Sequence, residues 1–203
     1  MEQTNEQLLK QYCRGKSPEQ IKAIEYFCKG ASCCLDDRMT DDEYSQMVIR
    51  KRNSLNLRAK ALNKIGLDED EVNEIPPAVF EGYVFKNAFA KQRANGKWVS
   101  SSYQVAWLFF SSTQIYVYRC TFSMDEDKTQ ESTDEFFYKD VTSFSTSSET
   151  ETSRGLGGKE FEVETNKFKI IVPGDQIIVS MDGIPNSEDI IQAMKQKLRE
   201  KKQ

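Results

Sequence analysis

The sequence predicts an α+β protein. A small helical region, residues 1–75, precedes a strongly bent seven-stranded sheet or small barrel, residues 78–203, that ends in a capping helix. Three observations carry this expectation. The apolar residues change from a helical period to a strand period at Ile75-Pro76-Pro77. Residues 105–122, VAWLFFSSTQIYVYRCTF, read as a hairpin whose two strands are apolar on both faces. The chain then closes on one amphipathic stripe made of Ile190, Ile191, Met194 and Leu198.

The helical half punctuates itself. Leu8, Leu9, Tyr12 and Cys13 fall at helical spacing and define a first short helix. Ser17-Pro18-Glu19-Gln20 combines a serine N-cap, a proline at the first helical position and a capping-box glutamine. The helix that follows carries Ile21, Ile24, Phe27 and Cys28 on one face and stops at Gly30. Thr40-Asp41-Asp42-Glu43 is a second capping box. It opens a longer segment with Tyr44, Met47, Val48, Leu55, Leu62 and Ile65 as its apolar members, with a break near Asn53-Ser54 and an end at Gly66. One more helical turn is expected over 68–75, before the two prolines.

Downstream, strands are expected at 79–85, 97–110, 115–124, 136–147, 160–164, 168–172 and 176–181. A strand that is apolar on both faces needs cover on both. Trp107 and Phe109 share one face and Leu108 and Phe110 the other, so one side belongs to a core and the other is expected beneath the N-terminal helices. Asn186-Ser187 caps the closing helix, and its lysine-rich tail complements the C-terminal end of the helix dipole.

Composition narrows the chemistry. A net charge of −4 and an isoelectric point near 5.2 argue against wholesale nucleic-acid binding. The chain has no histidine, which removes Ser-His-Asp and Cys-His catalysis and the usual zinc enzymes. The first twenty residues hold no apolar segment of a secretory signal, and no apolar run approaches the length of a membrane span. The expectation is a cytoplasmic protein with reduced cysteines and no cofactor.

The run WLFFSSTQIYVYRC, then FFYKDVTSF, then a closing helix, resembles a bacterial pleckstrin-homology-like (PH-like) domain. The likeness covers roughly residues 79–201, and the whole is similar to bacterial proteins in which a helical region precedes such a domain. It implies a bent sheet or small barrel plugged by the C-terminal helix, and a binding rather than catalytic role. PH domains that hold phosphoinositides use the loop between the first two strands. Lys86, Lys91, Arg93 and Lys97 in KNAFAKQRANGK fall on that loop as a candidate anion- or lipid-binding set. The alternative is a solvated hairpin tip turning at Asn95-Gly96.

Other candidates carry bland alternatives. Residues 125–135, DEDKTQESTDE, read as a mobile acidic loop or as a docking surface for a basic partner. They lack the glycine and glutamate of a calcium loop at the required places. RGLGGK at 154–159 lacks the Ser or Thr and the helix of a phosphate loop, and reads as an inter-strand connection. Cys28, Cys33 and Cys34 have no zinc-knuckle spacing. Arg50-Lys51-Arg52, Arg58 and Lys60 read as the wet face of a helix.

The functional expectation is a non-catalytic interaction module that binds a protein partner or self-associates. Binding to an anionic membrane surface through residues 86–97 is the alternative.

Overall fold

A computed structural model describes residues 5–28, 39–68, 70, 76–181 and 187–202. Four helices come first: α1 (Asn5–Cys13), α2 (Pro18–Cys28), α3 (Asp41–Ser54) and α4 (Leu57–Ile65). Both capping boxes form. The Ser17 hydroxyl accepts from Gln20 N–H while Gln20 Oε1 accepts from Ser17 N–H. Thr40 and Glu43 exchange the same pair of bonds. The expected break after Ser54 is present, with Asn56 in the left-handed region at φ 47°. Gly66 ends α4 at φ 76°, a conformation that costs a residue with a Cβ but not glycine.

Among the described residues nine strands follow, in three antiparallel sheets. β1 (Ala78–Val84), β4 (Ser102–Phe110), β5 (Gln114–Ser123) and β6 (Thr129–Phe137) form a four-stranded sheet in the order β1-β4-β5-β6. β2 (Ala90–Gln92) and β3 (Trp98–Ser100) make a small hairpin inserted between β1 and β4. β7 (Ser143–Arg154), β8 (Glu160–Val172) and β9 (Asp175–Ser180) form the second large sheet. α5 (Ser187–Lys201) closes the chain.

The hairpin of β4 and β5 shows why its strands are apolar on both faces. Leu108, Phe110, Ile115 and Val117 point into a core shared with Phe168, Ile170 and Ile177 of the second sheet and with Ile191, Met194 and Leu198 of α5. Phe109, Tyr118, Cys120 and Phe122 point the other way, onto Tyr26, Tyr44, Met47 and Leu62 of the helices. The helices therefore pack on the β region, as the alternation requires. Each large apolar side chain sunk in these two layers contributes about 1.5–3 kcal/mol.

Several strand limits differ from the expectation. The strands do not close into a barrel; they bond as separate sheets. Residues 129–135, expected within a mobile acidic loop, are the body of β6 and pair with β5 from Thr129↔Phe122 to Phe137↔Gln114. The pairing supplies hydrogen bonds that side-chain polarity does not advertise. The expected strand 136–147 is cut by a turn at 138–142, where Asp140 N–H bonds to Phe137 O. The expected strand 97–110 breaks at Ser101, whose N–H leaves the ladder for Phe89 O. The two strands expected at 160–164 and 168–172 are one, because Thr165, Asn166 and Lys167 keep their partners on β7. Gly30, the turn expected over 68–75, and the cap residue Asn186 lie outside the described residues, Asp68 and Asp70 excepted.

Candidate functional site

The four basic residues divide into two pairs. β2 and β3 turn at 93–97: Gly96 N–H bonds to Arg93 O, Arg93 N–H bonds to Lys97 O, and Gly96 sits at φ 80°. This is the Asn95-Gly96 turn expected from the sequence, closed by a glycine bulge. Lys91 and Arg93 reach from it onto the start of α3. Lys91 Nζ lies 3.5 Å from Asp41 Oδ1 and 4.0 Å from the centre of the Tyr26 ring. Arg93 Nη2 donates to Ser45 Oγ at 2.6 Å and to Asp41 O at 3.1 Å. Lys86, in the turn after β1, and Lys97 are exposed.

The electrostatics of this contact centre on Asp41. Burial pushes its carboxyl up, but the Tyr26 hydroxyl, donating at 2.6 Å, and the charges of Lys91 and Arg93 outweigh burial. The carboxyl is held below the usual carboxylate range. Half of the expected anion-binding set thus holds the helical region against the hairpin.

A second polar feature was not singled out from the sequence. A cleft of about 780 Å³ opens between the turn after β1 and the β7–β8–β9 sheet. Lys167 forms its floor with its side chain only 5% exposed, and Nζ pairs with Glu151 Oε1 at 2.8 Å. Glu151 Oε2 accepts the N–H groups of Phe85 and Lys86 at 2.7 and 3.2 Å. Ser180 donates its N–H to Gln104 Oε1 and its hydroxyl to Tyr83 O. These bonds tie the second sheet to the ends of β1 and β4. Glu149 lies along the same wall beside Lys169, whose hydrogen bond and charge hold its carboxyl below the usual range. Two pairs of opposite charge, Lys167 with Glu151 and Lys169 with Glu149, thus run along this wall. The signal was present in the alternation of SETET against TNKFK, which puts acids and lysines on one face of a β7–β8 pair.

The third feature is the edge of β6. No described strand lies on its far side. Ser123 N–H to Lys128 O and Tyr138 N–H to Thr113 O close the two ends of the β5–β6 pair. In an antiparallel ladder such bonds alternate, so even-numbered residues of β6 bond inward. The N–H and C=O groups of Thr129, Glu131, Thr133, Glu135 and Phe137 therefore turn outward. Glu131 is joined to Lys60 and Lys64 of α4, and Asp134 to Arg119. Asp127, Glu135 and Asp140 are exposed, and Phe137 is 48% exposed with Lys139 above its ring.

The remaining sequence candidates are structural or undescribed. Residues 155–159 join β7 to β8, and Arg154, the last residue of β7, stacks 4.4 Å from the Phe89 ring while pairing with Asp125 at 3.0 Å. Cys28 is half-buried, and burial pushes its thiol up to about 12. Cys33 and Cys34 lie outside the described residues. Among the described residues no three His, Cys, Asp or Glu side chains converge as metal ligands, and no helix is long and apolar enough to cross a membrane. No family model, no curated protein and no solved structure matches the chain.

Proposed function

We propose that this chain is a non-catalytic interaction module, built on a PH-like β domain, that binds a protein partner or a second copy of itself. Four antiparallel strands in sequence, then three, then a helix packed on the core between them, support the PH-like reading. The helical region and the β2–β3 hairpin are additions to that plan. The observation that carries the interaction reading is the nine-residue edge of β6, whose outward backbone groups meet no described strand. The less exposed cations have partners within the fold: Lys167 pairs with Glu151, and Lys91 and Arg93 reach α3.

The reading is tested by affinity capture of the tagged chain from its native cells, with soluble and membrane fractions analysed separately by mass spectrometry. A stoichiometric protein partner, or a second copy, in the soluble fraction is the expected result. Turnover of a small substrate, abolished by Glu149→Gln, would overturn it. Binding to an anionic membrane surface is the weaker proposal, because only Lys86 and Lys97 of the four cations are exposed. Equal pelleting of wild type and a Lys86→Glu/Lys97→Glu variant with anionic vesicles would count against it.

A further inference from the structure

We infer that the β6 edge is a strand-addition site for an extended, basic segment of a protein partner. The inference rests on the interaction-module reading and names its surface and the chemistry of its partner. Three observations support it.

The backbone is available. Residues 129, 131, 133, 135 and 137 present N–H and C=O groups in a row, which is the template that an added strand uses. Natural edges are blunted by charged side chains, above all lysine, by proline, by bulges or by covering elements, and the charges on β6 are carboxylates, which repel a like edge but attract a basic strand. β6 contains no proline or lysine, and its register to β5 runs without interruption.

The side chains disfavour a second copy. A two-fold antiparallel pairing centred on Thr133 sets Glu131 directly opposite Glu135 of the other chain, twice. Like charges directly opposite on a sheet are destabilising. Lys60 and Lys64 neutralise Glu131, but Glu135 has only the neutral Gln114 amide as its described partner. The same carboxylate favours a cation on an incoming strand.

The two ends of the edge match such a strand. Asp127 lies at one end, where it accepts from the Gln20 amide. Glu135 and Asp140 lie at the other, before and after the exposed Phe137 in sequence. No described cation pairs with any of these three carboxylates; Lys139 stands over Phe137 instead. A segment with a basic residue at every second position would set its cations on the face that Glu131, Glu135 and Phe137 share, near the carboxylates and over the ring.

The test uses the full chain and a synthetic peptide in which lysine and valine alternate over the length of β6, with a glutamate–valine peptide as its counterpart. Binding is read by fluorescence anisotropy, and amide hydrogen exchange is followed by NMR. The lysine peptide is expected to bind and to slow exchange at Thr129, Glu131, Thr133, Glu135 and Phe137, while the glutamate peptide does not bind. Thr133→Pro removes an outward N–H that takes no part in the β5 ladder, a position where an edge strand tolerates proline. It is expected to weaken the lysine peptide by about tenfold or more. Glu135→Lys/Asp140→Lys, which leaves the backbone alone, is expected to weaken it likewise. Equal binding to these variants, or binding without protection of the five amides, would overturn the inference. So would an absence of peptide binding, or a concentration-dependent dimer that Thr133→Pro abolishes. A partner captured from cells and retained by Thr133→Pro would sink the edge site alone and leave the interaction-module reading standing.

Discussion

The Tyr44 hydroxyl, on α3, donates to the carbonyl oxygen of Ser100, the last residue of β3, at 2.7 Å, and both residues are buried. Tyr44 also stacks on Tyr26 of α2, with ring centres 4.4 Å apart and planes 7° from parallel. One side chain thus joins two helices to the bend where the hairpin hands over to the large sheet. Tyr44→Phe keeps the ring and strands the carbonyl. The expected loss is about 1–3 kcal/mol by urea denaturation. Because helices and sheet share one apolar layer, fluorescence and far-UV circular dichroism should report the same single transition. Separate unfolding of the helices would contradict the shared core.

Lys167 and Glu151 make a buried pair whose removal on one side leaves a charge without its counter-ion. Lys167→Ala is expected to destabilise the chain by about 3–5 kcal/mol, well beyond the effect of an exposed lysine such as Lys86. A loss below 1 kcal/mol, on the order of a surface pair, would mean that water reaches this site freely.

Acid should loosen the contact between α4 and β6. The Lys64 hydrogen bond, joined by the charges of Lys64 and Lys60, holds the Glu131 carboxyl below its usual range against the opposing effect of burial. A carboxyl lowered in the folded state adds stability that is complete above its unfolded value, about 4.3, and is lost as pH falls through the folded value. Wild type is therefore expected to lose more stability than Glu131→Gln as pH falls from 5 to 3, with the two curves converging at the acid end. Parallel curves would remove Glu131 from the account. Asp41 shifts the same way through Tyr26 and Lys91, so Asp41→Asn should flatten the same part of the profile.

Side chains with periodic apolar character were legible. The double-sided hairpin predicted cover on both faces, and the sheets and helices supply it. Caps at Ser17 and Thr40 and the end at Gly66 were equally plain, because each is a local chemical pattern. β6 was not legible. Its residues are polar on both faces, TQESTDE, and nothing in them alternates apolar with polar. Its identity comes from the neighbour: β5 has two edges, and β4 fills only one. The basic set Lys86, Lys91, Arg93 and Lys97 was legible as a hairpin, but not as two pairs with different tasks. The partners of Lys91 and Arg93 lie about fifty residues upstream, a separation that no local pattern encodes.

The most direct measurement is amine-directed cross-linking of the chain with its captured partner, read by mass spectrometry. Four exposed lysines divide the outcomes: Lys128 and Lys139 bracket β6, while Lys86 and Lys97 mark the β1 turn and the hairpin. Partner cross-links concentrated at Lys128 and Lys139 are the predicted result. Links confined to Lys86 and Lys97, or recovery with membranes and no protein partner, would contradict it and move function to the basic turns.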